Sequence, residues 1–236
     1  MAAAIAGTAA GGTIRICPGT YATLDARVDR NLTIVGAGSG AGGTILDGQG
    51  VGRILTIADE TTVTIRDLTV TRGFGTQRDN TGANIRVLFD AALTLERVEV
   101  TDGVNPSGFG LGAIYVGSGS SLVLKESRVA NNLNFSFGGG IMIDDGTTLT
   151  LEGSRIEGNS AGFGGGIWTE TGSETNLDSR SLVTGNYAFQ RRGGGGILNK
   201  GLVTGVTASN VSGNTGGNPP VPSNCDNNSG GTGCPA

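Results

Sequence analysis

One pattern of apolar and polar positions recurs six times between Leu55 and Asn214. Each copy begins with a glycine-rich run, continues through two short apolar strands and closes on Gly or Asn, three residues after a Val or Ile. The opening apolar residues are Leu55, Ile85, Ile114, Ile141, Ile167 and Ile197, and the closing residues are Gly73, Gly103, Asn132, Asn159, Asn186 and Asn214. Because the order never changes, the pattern predicts a solenoid in which each copy stacks on its predecessor.

Apolar and polar residues alternate within the copies, as in Ile141–Met142–Ile143 and Leu149–Thr150–Leu151. This period of two is typical of strands, and no helical period persists anywhere in the chain. Two further strand segments, at 13–16 and 32–35, precede the six copies. The sequence therefore predicts an all-β, single-stranded parallel β-helix of about eight coils, in which each copy forms one coil of short strands.

Three regions follow from this pattern. Residues 13–218 form the predicted β-helix, residues 1–12 are interpreted as an N-terminal cap or the remnant of a leader, and residues 219–236 form a Pro/Gly-rich tail. The tail contains Pro219, Pro220 and Pro222, and proline has no backbone N–H to donate to a ladder. We therefore expect the tail to leave the stack and cover its end.

Composition excludes some partners. Of the 236 residues 36% are hydrophobic and 15% are charged, and the net charge is −4 with a pI near 4.8. Nucleic-acid binding requires clustered Lys and Arg, so we expect no nucleic-acid partner. No run approaches 18 consecutive apolar residues, so we expect no membrane span. The oligomeric state does not follow from the sequence.

The cysteines bear on the cellular compartment. Cys225 and Cys234 flank a short polar loop, whereas Cys17 lies in the first coil, on the order of 30 Å away along the axis. We predict a Cys225–Cys234 disulfide, with Cys17 free and packed as a small apolar residue. Such a disulfide favours an extracellular or cell-surface location. The alternative is three reduced thiols in a cytosolic protein.

Several segments resemble a known group of proteins. They are Thr13 to Tyr21, Leu32 to Gly38 and the repeated Gly-Gly-Gly-Ile that ends at Ile141, Ile167 and Ile197. Over residues 13–218 the chain resembles secreted right-handed parallel β-helix proteins of the pectate-lyase-like superfamily. The Gly-Gly-Gly-Ile element is also similar to the repeats of polymorphic outer membrane proteins. The resemblance implies a right-handed helix and an internal ladder of Asn132, Asn159, Asn186 and Asn214. Since this superfamily includes lyases, hydrolases, epimerases and adhesins, it does not specify one activity.

A candidate binding surface follows from the alternation within the strands. The residue after each opening apolar position points away from the core. These residues, called the outer column here, are Thr56, Arg86, Tyr115, Met142, Trp168 and Leu198. Flat aromatic side chains that repeat along a ladder suit the apolar faces of a sugar chain. Two alternatives stay open: the preceding loops cover the column, or it contacts another copy of the chain. A second set of aromatic residues, including Phe109, Phe137 and Phe163, is interpreted as packing beneath the glycine runs.

Catalytic candidates are few. The chain has no histidine, which removes the commonest general base and any Ser-His-Asp arrangement. A polysaccharide lyase of the type that the resemblance implies would use a basic residue, for which the candidates are Arg86, Lys200 and the pair Arg191–Arg192. Asp144 and Asp145 are the candidate ligands for calcium, although adjacent acids in a turn are usually solvated. No other cofactor is expected.

Three hypotheses remain. The first is an exported β-helical protein that binds a polysaccharide or a cell-surface partner through the outer column without turnover. The second is a polysaccharide lyase with Arg86 or Lys200 as base. The third is a structural spacer or filament subunit that stacks end to end. The first depends on exposure of Tyr115 and Trp168.

Overall fold

The structure is a computed structural model, and it describes residues 1–75, 81–106, 108–191, 193–228 and 230–235. Its N-terminal elements are α1 (Ala2–Ala6), β1 (Thr13–Arg15), β2 (Gly19–Ala22), β3 (Ala26–Val28), β4 (Leu32–Val35) and β5 (Thr44–Asp47). The next are β6 (Leu55–Ile57), β7 (Thr62–Thr71), β8 (Ile85–Val87), β9 (Ala92–Thr101), β10 (Val104–Asn105), β11 (Ile114–Val116), β12 (Ser121–Lys125), β13 (Arg128–Ala130) and β14 (Leu133–Asn134). Then come β15 (Ile141–Ile143), β16 (Thr148–Glu152), β17 (Arg155–Glu157), β18 (Ser160–Ala161), β19 (Ile167–Thr169), β20 (Glu174–Leu177), β21 (Leu182–Thr184) and β22 (Tyr187–Ala188). The last are β23 (Ile197–Asn199), β24 (Leu202–Thr204), β25 (Val211–Ser212), β26 (Thr215–Gly216), β27 (Val221–Pro222) and β28 (Cys225–Asn227).

The strands form three sheets that run along one axis. Sheet A has 14 strands, including β7, β9, β12, β16 and β20. Sheet B has the order β28-β23-β19-β15-β11-β8-β6-β3, and sheet C has the order β10-β14-β18-β22-β26-β27. All pairings between coils are parallel except that of β26 with β27. The chain is therefore a parallel β-helix of about seven turns, and the predicted solenoid is confirmed.

Sheet A bends sharply at one residue per coil. The bend residues Asp67, Arg97 and Glu126 have φ of 57°, 52° and 48°, and glycine takes the same position at Gly153 with φ of 59°. A non-glycine residue rarely adopts this left-handed backbone. Repeating it in successive coils lets the two halves of the sheet enclose one continuous core.

The core contains the apolar residue that opens each repeat and the Val or Ile that lies three residues before its closing Gly or Asn. Ile114, Ile141 and Ile167 are paired across neighbouring coils of sheet B, and Val129 pairs with Ile156 in sheet A. All of them are completely buried. The glycine runs are needed because the coils approach closely there. A Cβ on Gly165 would lie 2.4 Å from the carbonyl oxygen of Gly195 and 2.5 Å from that of Tyr187.

The asparagine ladder is present and buried. The side-chain amide of Asn132 donates to the Oδ1 of Asn159 at 2.9 Å, Asn159 donates to Asn186 at 3.0 Å, and Asn186 donates to Asn214 at 2.9 Å. Two residues from a different position in the repeat extend it. Asn84 donates to Asn132 at 3.1 Å, and Asn224 accepts from Asn214 at 3.3 Å. Each amide also binds the backbone, so the ladder ties successive turns of the stack together.

The two ends of the stack depart from expectation. Helix α1 places Ile5 in the core. Cys17 is free, but it is exposed, so its expected packing as a small apolar residue is wrong. It lies just before β2 in the first coil, and all four residues of β2 are exposed as well. The Cys225–Cys234 disulfide is present, with a Cα–Cα distance of 5.4 Å. The tail does not leave the ladder entirely. After the prolines turn the chain, β28 joins β23 in parallel register, because Cys225–Asn227 contains no proline.

Candidate functional site

The outer column stacks in the predicted register. Across sheet B, Tyr115 pairs with Arg86 on one side and with Met142 on the other, and Trp168 pairs with Met142 and Leu198. Thr56 pairs with Arg86 at the N-terminal end of the column. Residues that are widely separated in sequence therefore form one continuous row on the side of sheet B that faces away from the core.

The expected exposure of the outer column is wrong. Trp168 is 4% exposed, Tyr115 is 8% exposed, and Thr56, Met142 and Leu198 are also buried. Leu111, Phe137 and Phe163 lie over these side chains and form a second apolar cluster with them. The Phe137 ring lies 4.6 Å from the Trp168 ring, and Phe163 stacks on Phe137 at 5.8 Å. The loops that enter the strands thus cover the column, which was the open alternative. Phe137 and Phe163 pack as expected, whereas Phe109 is 81% exposed.

Polar groups close the edge of this second cluster. The hydroxyl of Tyr115 donates to Asp144 Oδ2 at 2.7 Å, and Trp168 Nε1 donates to Glu170 Oε2 at 3.1 Å. Lys200 Nζ lies 4.6 Å from the centre of the Trp168 ring and 3.2 Å from Glu170 Oε1. Burial alone raises the pKa of Glu170, but hydrogen bonds from Thr171, Trp168 and Lys200 outweigh it and hold that pKa below its usual value.

Tyr115 makes the cluster sensitive to alkaline pH. Burial and the hydrogen bond to Asp144 raise the pKa of the Tyr115 hydroxyl well above its ordinary value of 10. In the unfolded chain the hydroxyl ionises near pH 10, so unfolding releases a proton above that pH. We expect the stabilisation that this group contributes to be fully present and constant below pH 10 and to be lost progressively as the pH rises further. Urea unfolding of Tyr115→Phe from pH 8 to 11.5 should show a shallower fall than the wild type; identical slopes would contradict the assignment.

The catalytic candidates have structural partners. Lys200 is held between Glu170 and the Trp168 ring, and Arg86 is half-buried between Thr56 and Tyr115 in the outer column. Arg191 lies in an exposed turn, and Arg192 lies outside the described residues. Among the candidates that the structure describes, Arg86, Lys200 and Arg191 are therefore not grouped around one open groove.

One of the two candidate calcium ligands, Asp144, already holds other partners. Asp144 accepts the hydroxyl of Tyr115 through one carboxylate oxygen and the backbone N–H of Asp145 through the other. Within the part of the chain that the structure describes, no three His, Cys, Asp or Glu side chains are grouped closely enough to hold a metal ion. A calcium role for Asp144 and Asp145 remains a prediction from sequence.

An exposed aromatic group lies on sheet C instead. Phe135 is 52% exposed, and its ring lies 6.0 Å from that of Phe189, two coils further on. Gly162 occupies the matching position in the coil between them, so no side chain separates the two rings. Tyr187 packs edge-on against Phe189 at 5.5 Å. We call Phe135, Tyr187 and Phe189 the sheet C platform.

The sequence pattern led us to interpret Phe135 and Phe189 as packing residues, and it gave no prediction for Tyr187. Phe135 and Phe189 each follow a ladder asparagine by three residues, Asn132 and Asn186, and Tyr187 directly follows Asn186. Aligning the copies on their asparagines would have placed them on one face. A Phe or Tyr in a glycine-rich loop gives no other indication of whether it points towards the protein or towards solvent.

Comparison with known proteins supports the architecture. A family model described as a right-handed β-helix region matches residues 40–217. No curated protein and no solved structure matches the chain. In the described ranges no helix has the length and apolar character needed to cross a membrane. Because the family model covers well over half of the sequence and the strands form the coils that it describes, the chain belongs to the right-handed β-helix family.

Proposed function

We propose that this protein is an extracellular or cell-surface β-helical module that binds a neutral polysaccharide on the sheet C platform without turning it over. The observation that carries the proposal is the exposed ring of Phe135 in contact with the half-buried ring of Phe189. Clustered aromatic side chains at the surface of a protein usually mark an interaction site. Their flat faces suit the apolar faces of sugar rings.

The surroundings of the platform support a neutral ligand. The outward positions of sheet C near it are Leu133, Ser160, Tyr187 and Thr215, with Gly162 and Gly217 beside the phenylalanines. None of these carries a charge at neutral pH. These positions offer a charged glycan no ion pair. The Arg191 side chain lies against Gly217 beside them, but the net charge of −4 repels an acidic glycan.

Binding without turnover is favoured by the same residues. Cleavage of a glycosidic bond needs a positioned acid and base or a pair of carboxylates across the substrate. Among the described residues, the outward positions of the platform include no carboxylate or lysine. Arg191 lies beside them against Gly217, but these positions supply no acid to work with it. The Cys225–Cys234 disulfide supports a location outside the reducing cytosol.

Alanine substitution of the two phenylalanines tests the proposal. On a glycan array with neutral and acidic glycans, the wild type should bind neutral glycans, and Phe135→Ala/Phe189→Ala should lose at least tenfold in affinity, about 1.4 kcal/mol. The reason is that both flat faces of the platform disappear. The matched control is Phe89→Ala, because Phe89 is 53% exposed and lies in the turn between β8 and β9, away from sheet C. Equal binding by the double variant and the wild type would refute the proposal, as would a wild type that binds no glycan.

A further inference from the structure

Two members of the sheet C platform, Phe135 and Phe189, stand two residues after Leu133 and Tyr187. Leu133 and Tyr187 belong to a longer outward row on sheet C. Its members pair coil by coil in the order Phe74, Val104, Leu133, Ser160, Tyr187 and Thr215. The row spans five coil steps, about 24 Å at the spacing of neighbouring strands. Strand β27, which pairs antiparallel with β26, ends it at Thr215.

Every member of this row is partly open to solvent. Each is half-buried, because its neighbours in the ladder cover its flanks. The apolar members Phe74, Val104 and Leu133 therefore extend the apolar surface of the platform along the solenoid axis. The row itself contains no charged residue.

The order of side chains along the row favours a sugar chain over a protein partner. From Leu133 onward apolar and hydroxyl groups alternate, with Ser160 before Tyr187 and Thr215 after it. The centre of a protein interface is mostly apolar and closely packed. A polysaccharide instead presents an apolar ring face and hydroxyl groups at every unit, and the length of one unit in an extended chain is close to the spacing of the coils.

We infer that the ligand of the proposed function is an extended neutral polysaccharide that lies parallel to the solenoid axis over the whole row from Phe74 to Thr215. The inference rests on the proposed function and adds to it the ligand's length and direction. The sheet C platform holds one part of the chain, and Phe74 and Val104 hold the part nearer the N-terminal end. A short oligosaccharide reaches only the platform.

A chain-length series tests the inference. The probes are β-1,4-linked cello-, xylo- and manno-oligosaccharides of two to eight units, titrated against the full chain by calorimetry. For the series that binds, affinity should rise at least tenfold between two and six units and then level off. Phe74→Ala should weaken binding of the six-unit ligand at least threefold and leave the two-unit ligand unchanged. Phe135→Ala should weaken binding at every length, and Phe89→Ala at none.

The outcomes separate the two proposals. Affinity that does not depend on length, or a Phe74→Ala variant that binds the six-unit ligand like the wild type, overturns the axial chain and leaves the platform in place. Binding on the glycan array only to short terminal sugars, with none of the three series bound, also overturns the axial arrangement and leaves the platform in place. Absence of binding to every neutral glycan overturns both. Thermal unfolding of each variant beside the wild type shows that the comparisons are made on folded protein.

Discussion

Replacing Asn159 by alanine is expected to lower the free energy of unfolding by about 4 kcal/mol. The Asn159 side chain is completely buried in the middle of the asparagine ladder. It accepts hydrogen bonds from the backbone N–H and the side-chain amide of Asn132, and it donates to the Val129 carbonyl and to Asn186 Oδ1. Alanine removes all four and leaves buried partners unsatisfied, and each such loss costs about 1 kcal/mol or more.

A neighbouring surface residue provides the control for this prediction. Asn131 is exposed and has φ of 56°, so Asn131→Gly keeps the backbone conformation and removes only a surface side chain. We expect that variant to stay within about 0.5 kcal/mol of the wild type. Urea unfolding followed by circular dichroism measures both. If Asn159→Ala were as stable as Asn131→Gly, the ladder would not hold the coils together.

Replacing Trp168 by alanine is the second large effect that we expect. Trp168 is 4% exposed and contacts Phe137, Phe163 and Lys200. Loss of a buried aromatic side chain leaves a cavity and typically costs about 3 to 5 kcal/mol. Differential scanning calorimetry should show a lower midpoint for Trp168→Ala and a much smaller change for Trp168→Phe, which keeps a ring over Met142. A change below about 1 kcal/mol in Trp168→Ala would mean that the second cluster is not packed.

The stacking of the coils could be predicted from the sequence because the repeat leaves little freedom. Once Ile141 and Ile167 occupy the same place in successive turns, the strands that follow align as well. Leu151 pairs with Leu177, and Ile156 pairs with Val183 after one extra residue in the later copy. The Cys225–Cys234 pair followed from distance alone, since Cys17 lies at the other end of the stack.

The environment of the outer column could not be predicted in the same way. Alternation along a strand shows that Trp168 points away from the core, but it does not show whether another segment covers that face. The covering residues Phe137 and Phe163 lie in glycine-rich loops, where the backbone has too many allowed conformations for a sequence pattern to fix its path. The exposure of Phe135 escaped prediction for the same reason.

Local exceptions at the ends of the stack had other causes. The parallel ladder is interrupted only at the prolines: Pro219 and Pro220 lie in a turn, Pro222 lies in the antiparallel strand β27, and a parallel strand forms again at Cys225–Asn227. Cys17 is exposed because the first coil has a neighbour on one side only. A repeat pattern in the sequence does not show which residues of a terminal coil stay uncovered.

The most direct test of the account uses the single tryptophan of the chain. The outer column forms the base of a second apolar cluster, so the proposed ligand site lies on sheet C. Acrylamide quenching of Trp168 fluorescence measures whether solvent reaches the column. A buried Trp168 should give weak quenching and blue-shifted emission in the folded protein, with strong quenching after unfolding. Quenching of the folded protein as strong as that of the unfolded chain would show that Trp168 is open to solvent, and it would contradict the account.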